Sequence, residues 1–239
     1  MSAYNGSEEL RAAFIAGLKW HREQDAIVQG SYGDTDDGRW RGCAVGCGLR
    51  TLYHMDGVED GDTSSHAELS RRTGIPIVLH RLQDSIFERL PNAVALDWPV
   101  RFASSVQAGA DLSMVWPRFA VALLSDPDHG ACRHASGEVL LAVQRVSVLY
   151  EDVIAGRVVT PSEWEVARLR AAAVQAERQA AWAERQAAWA AAQAAAMSAR
   201  AAMSAVQAAA RAERAEREAA AAEWQADTLV RLLTEARNG

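Results

Sequence analysis

Pro76-Ile-Val-Leu-His-Arg-Leu-Gln-Asp-Ser-Ile-Phe87 is the stretch on which the fold reading turns. A proline at the first helical position has a preset backbone angle and no intrahelical donor to lose. Val78, Leu79, Leu82, Ile86 and Phe87 then recur at three- and four-residue spacing, which puts them on one face of an amphipathic helix. Leu90-Pro91 closes it.

Outward from this helix the same period persists. Upstream, Ser64 or Ser65 can cap a short helix running through Arg72, with Gly74 as its stop. Further back, Ser7 caps a first helix whose opening acids, Glu8 and Glu9, suit the positive end of the dipole, and Leu10, Phe14 and Leu18 form its buried stripe. Downstream, Asp97-Trp98-Pro99 opens another helix. Asp111 opens one more, which Pro117 must kink or restart. Glu138 to Ile154, with Val139, Leu140, Val143, Val146, Leu149, Tyr150 and Val153, reads as the central core helix, ended at Gly156. Alternating β-branched runs hardly occur. Residues 1–156 therefore read as an all-α globular domain, a compact bundle of roughly six helices.

Residues 157–239 differ in kind. Thr160-Pro161-Ser162-Glu163 has the form of a capping box, and 31 of the 79 residues from Pro161 onward are alanine, with no further proline and no glycine before Gly239. This predicts one long Ala-rich helix. Ala176 to Trp182 and Ala183 to Trp189 repeat the same seven residues, and that register continues through Met203 to Trp224. A seven-residue repeat keeps large side chains on one slowly drifting stripe, as a supercoiled contact requires. Trp182, Trp189, Met203 and Trp224 are accordingly the expected oligomerisation or packing residues, and a homo-oligomer is expected.

The net charge of -6 argues against broad nucleic-acid binding, which draws on phosphate neutralisation. The surplus lies in the first 160 residues, with 15 Lys and Arg against 21 Asp and Glu. Three cysteines are too few for a disulfide framework in a chain of 239 residues and point to a reduced, cytoplasmic setting. Met1-Ser2-Ala3-Tyr4 does not open a charged and then apolar leader, and no apolar run reaches 18 residues, so neither signal peptide nor membrane span is expected.

The most chemically loaded segment is Gly38-Arg-Trp-Arg-Gly-Cys-Ala-Val-Gly-Cys47, read as a tight turn into a helix starting near Cys43. In a first reading, Gly42, Cys43 and Ala44 present backbone amides at a helix start to a small anion. Arg39 and Arg41 add bidentate contacts, and Tyr32 or Trp40 stacks on a base. In a second, Cys43 is a nucleophile whose pKa the helix start lowers, with His21 as base and Asp25 as orienter, the layout of a cysteine hydrolase. In a third, Cys43, Cys47, Cys132 and either His129 or His134 hold zinc. Each has a plain counterpart: a Gly-rich turn needs no ligand, and buried cysteines and solvated histidines are common. No phosphate loop, dinucleotide fingerprint or nucleophile elbow is present, and no cofactor is implied.

Arg41-Gly-Cys-Ala-Val-Gly-Cys-Gly-Leu, together with Gly74-Ile-Pro, Arg81-Leu-x-Asp-Ser-Ile-Phe-Glu-Arg-Leu-Pro91 and Gly109-Ala-Asp-Leu, resembles a family of uncharacterised proteins from bacteriophage and bacterial genomes, over about residues 5 to 160. The resemblance implies a phage or prophage context and no particular activity. The combined expectation is a non-enzymatic binding protein that captures a small phosphate-containing ligand such as a nucleotide signal of host defence. The alternatives are an interaction protein acting through its long helix, and the cysteine hydrolase.

Overall fold

The computed structural model describes residues 2–36, 38–195 and 200–236. Among these, α1 (Glu8–Glu23) is followed by a hairpin of β1 (Asp34–Asp36) and β2 (Arg39–Arg41), and then by α2 (Ala44–Met55), α3 (His66–Thr73) and α4 (Ile77–Phe87). The chain continues through α5 (Asn92–Ala95), α6 (Trp98–Ser105), α7 (Val115–Ser125), α8 (Gly137–Ile154), α9 (Pro161–Ala195) and α10 (Arg200–Glu235), with 3-10 turns at Ala3–Gly6 and Ala131–His134. The protein is mostly helical, as the periodicity predicts. Among the described residues eight α-helices occupy the stretch read as roughly six, and the four-residue α5 is the one that the sequence reading does not mark. No helix among the described residues is long and apolar enough to cross a membrane.

The local signals explain the boundaries. The Ser7 hydroxyl accepts the Leu10 amide at 3.0 Å, and the Ser65 hydroxyl accepts that of Glu68 at 3.1 Å, each replacing a partner that a helix start lacks. Gly74 ends α3 at φ 68, in the left-handed region that favours glycine. Asp111 does not open a helix: its carboxylate accepts the Ser113 amide at 2.9 Å and makes a turn instead, so α7 begins at Val115. Pro117 then falls in the first turn, where its missing N–H leaves no bond unmade.

The chain divides into two compact units, Met1–Phe119 with Ala221–Gly239, and Ala120–Ala220. The division read from the sequence at 156/157 falls inside the second of these. The core of the first unit is built from Phe14 and Leu18 of α1, Leu49 and Leu52 of α2, Leu79, Ile86 and Phe87 of α4, and Trp98 and Phe102 of α6, all buried. The end of α10 belongs to this unit. Ala222, Ala226, Leu229 and Leu233 are buried at spacings of four, three and four, one helical stripe. Its polar flank is fastened by an Arg101–Asp227 ion pair and by Arg89, which donates to the Gln225 side-chain carbonyl at 3.1 Å. The apolar end of the tail is thus core rather than a free surface.

In the second unit α8 packs along α9, with the Tyr150 and Trp164 rings 4.8 Å apart. The capping box is formed: Thr160 N–H donates to Glu163 at 2.8 Å, and Glu163 N–H to the Thr160 hydroxyl at 3.3 Å. Helix α8 is not the central core helix its composition suggests. Ser147 and Leu149 are its buried residues, whereas Leu141 and Val148 are exposed. The tail expected as one long helix is helical over α9 and α10, and residues 196–199 between them lie outside the described residues. Of the four expected oligomerisation residues, Trp182 is 64% exposed and Trp224 half-buried, while the side chains of Trp189 and Met203 lie outside the described residues.

Candidate functional site

The stretch 38–47 is a hairpin strand running into α2. Strand β2 pairs antiparallel with β1, Asp34 opposite Arg41 and Asp36 opposite Arg39. Past it the chain is stitched to residues 26–31: Gly42 N–H donates to Ala26 O at 2.9 Å, Val28 N–H to Gly42 O at 3.0 Å, and Cys43 N–H to Ser31 O at 2.5 Å. Two of the three amides expected to face an anion, those of Gly42 and Cys43, are therefore already bonded, and Gly42, Cys43 and Ala44 are buried. Gly46 is required by close approach, since a Cβ there would lie 1.8 Å from Tyr32 O. The glycine-rich turn is a packing device that lets α2 start flush against neighbouring backbone.

This arrangement sends the predicted ligand-binding residues to different places. Tyr32 turns toward α4, its hydroxyl donating to Asp84 at 3.3 Å and its ring edge-on to His66. Cys43 is directed to the same neighbourhood, within 4.8 Å of carboxylate oxygens of Asp84 and Glu88. Arg39 and Trp40 instead line a cleft that also takes in Trp20, His21 and Arg50. Arg41 is half-buried.

The cleft arises where α1 crosses α2. The helices meet at Gly17, where a Cβ would lie 2.1 Å from the Thr51 Cγ2 methyl, so a small residue is needed for the crossing. Two adjoining hollows share Trp20, His21 and Arg50 as walls. One, of about 470 Å³, is mostly apolar and completed by Ala13, Thr51, His54 and Met55. The other, of about 450 Å³, is polar and completed by Glu23, Gln24, Asp25, Arg39 and Trp40. The Arg50 guanidinium sits 5.5 Å from the Trp40 ring centroid, a cation-aromatic contact, and donates to Glu59 O at 3.0 Å. Trp20 is 56% exposed and offers an open aromatic face.

Two polar atoms in these walls stand out. His21 is 3% exposed with its Nδ1 unpartnered, and Thr51 is 6% exposed with its Oγ1 unpartnered. Buried polar atoms are nearly always hydrogen-bonded, because leaving one unpaired costs about 1–3 kcal/mol. Burial, reinforced by the nearby Arg50 and His54, lowers the His21 pKa to about 4, so the ring is neutral at pH 7. One of its nitrogens then donates and the other accepts.

The cysteine nucleophile fares differently. A helix start alone predicts a lowered thiol pKa, but burial reverses the sign and pushes Cys43 up to about 12, against the opposing pull of the Gly46 and Val45 amides. No hydrogen bond among the described residues joins Cys43, His21 and Asp25. Cys47 is buried, with its sulfur 3.3 Å from Gly42 O. Among the described residues, neither it nor Cys132, His129 or His134 is in the group of ligand-type side chains that come together, which is Cys43, Asp84 and Glu88.

Trp20, Arg50, Thr51 and His54 did not stand out in the sequence. The signals available were an aromatic beside a histidine near the end of α1, and Arg50 and His54 at four-residue spacing on α2. Compared with protein-family models, with curated proteins and with solved structures, the chain matches none.

Proposed function

We propose that the protein binds a small phosphate-bearing ligand with a flat ring in the cleft between α1 and α2, and acts by capture rather than by catalysis. The observation that carries this reading is the pair of buried, unpartnered polar atoms, His21 Nδ1 and Thr51 Oγ1, in the wall of an apolar hollow beside the open face of Trp20. Those groups suit a heteroaromatic ring that stacks on the indole and exchanges hydrogen bonds at its edge. Arg39 and Arg50 supply charge-assisted contacts for a phosphate in the polar hollow. Glu23 and Asp25 line the same hollow, so a bare polyanion is disfavoured and a ligand that also carries hydroxyl or amino donors is preferred. A nucleotide has all three parts. The likeness to phage-encoded proteins extends the reading to capture of a nucleotide signal used in host defence.

The test is a thermal-shift screen of the full chain against mono-, di- and cyclic nucleotides and ADP-ribose. A ligand at 100 times its Kd adds about 2.7 kcal/mol of stability. The shift should shrink in Arg39→Ala. A panel without effect, or a shift undiminished in that variant, removes the reading.

A second reading is favoured by one feature of the other unit. An apolar hollow of about 620 Å³, walled by Val139, Val143, Val146, Val174 and Trp182, lies beside the exposed Trp182 ring. Exposed apolar surface of this kind marks association sites, and self-association through it is the expected role. Sedimentation of Trp182→Ala tests this without touching the first unit, whereas deleting the whole tail would also remove core residues such as Leu229 and Leu233.

A further inference from the structure

At the start of α2, three groups of metal-ligand type converge from two elements. Asp84 and Glu88 lie one helical turn apart at the end of α4, and Cys43 precedes α2; a ligand atom of each lies within 4.8 Å of the others. All three are anions when ionised. Among the described residues no arginine or lysine pairs with either carboxylate. The surroundings orient the group, with His66 the one basic side chain recorded against it among the described residues. Asp84 Oδ2 receives the Tyr32 hydroxyl at 3.3 Å and His66 Nε2 at 3.0 Å, while its Oδ1 is buried without a partner. Glu88 accepts the Gly30 amide through one oxygen at 2.8 Å. Each carboxylate thus has one oxygen fixed by the protein, as ligand carboxylates commonly do.

We propose that Cys43, Asp84 and Glu88 form a divalent-cation site of zinc class, with Tyr32 and His66 as positioning residues for Asp84. The sulfur selects a borderline-soft ion over magnesium or calcium, and three protein ligands leave a position for water. Binding replaces the Cys43 S–H bond by a sulfur–metal bond and releases one proton to solvent, so affinity rises with pH. The site shares no side chain with the α1/α2 cleft and does not rest on the ligand proposed there.

The experiment uses the full chain, stripped with a chelator and titrated with Co²⁺. One equivalent should produce the near-ultraviolet thiolate-to-cobalt absorption, and Zn²⁺ should displace it. Glu88→Gln, at an exposed position that leaves the fold intact, should weaken Co²⁺ binding by about tenfold or more without lowering the metal-free melting temperature. Cys43→Ser should abolish the absorption, and Cys132→Ser should leave it unchanged. Absence of the thiolate band, full binding in Glu88→Gln, or loss of the band in Cys132→Ser would each overturn the proposal.

Discussion

Replacing Thr51 by valine separates a hydroxyl poised for a ligand from one that merely fills space. Valine keeps the methyl that sits against Gly17 and substitutes a second methyl for Oγ1, so shape is conserved and only polarity changes. In the free protein the hydroxyl is buried and unpartnered. An unpaired buried hydroxyl costs about 1–3 kcal/mol, and an isosteric apolar group lifts that cost. Thr51→Val should therefore stabilise the ligand-free protein by about 1–2 kcal/mol, a rise in Tm of roughly 2–8 °C for a chain of this size. The same substitution should reduce the stabilisation given by any nucleotide found in the screen. Chemical denaturation with and without ligand reads both effects, and opposite signs are the diagnostic result. An equal or lower Tm in the free variant would mean that the hydroxyl is already hydrogen-bonded without ligand, and the argument from unpaired polar atoms would fall.

Two further outcomes follow from the same structure. Leu233 is fully buried in the first unit, so Leu233→Ala should cost about 2–5 kcal/mol in denaturation, whereas a loss under about 1 kcal/mol would show that the end of α10 is not part of that core. His21 and His80 are both held neutral down to about 4 by burial, against 6.5 for a free imidazole. Between those values the unfolded chain binds more protons, so stability rises with pH there and is lost as pH falls from 6.5 toward 4, by on the order of 2–3 kcal/mol per histidine. Urea unfolding at pH 7 and 4.5 measures the loss, and a His21 or His80 imidazole titrating above pH 6 by NMR would contradict it.

The helices were legible where a single local rule decides them. Ser7, Ser65, Gly74 and Thr160 act within four residues of the boundaries they set, and the stripe of α1 and the face of α4 need only the helical period. Position within the protein was not so legible. Glu138 to Ile154 is rich in aliphatic residues and so looks central, yet which of those residues are covered depends on the partner helix, a fact absent from local pattern. The hairpin was missed although Asp37-Gly38 is a recognised turn pair, because strands of three residues carry no measurable alternation. The cleft was half visible. Arg39 and Trp40 were singled out for their neighbours in sequence, but they meet Trp20 and Arg50 only because Gly17 lets two helices approach, and that is a tertiary event.

The central cysteine shows why motif chemistry must be weighed by magnitude. A helix start favours a thiolate by about 0.3–1 kcal/mol, and this alone suggests a reactive sulfur. Burial moves the thiol from its ordinary 9.0 to about 12, an opposing effect on the order of 4 kcal/mol, and Asp84 and Glu88 act in the same direction. Desolvation wins, so the sulfur is inert toward proton loss unless something compensates two or three neighbouring negative charges at once. A monovalent arginine at hydrogen-bonding distance would do so only in part, and among the described residues none is paired there. A divalent ion bonded to the sulfur reverses the balance outright, because it stabilises the thiolate and both carboxylates together. Burial thus argues against a hydrolase at Cys43, and what the cation proposal stands on is the convergence of its sulfur with the Asp84 and Glu88 carboxylates.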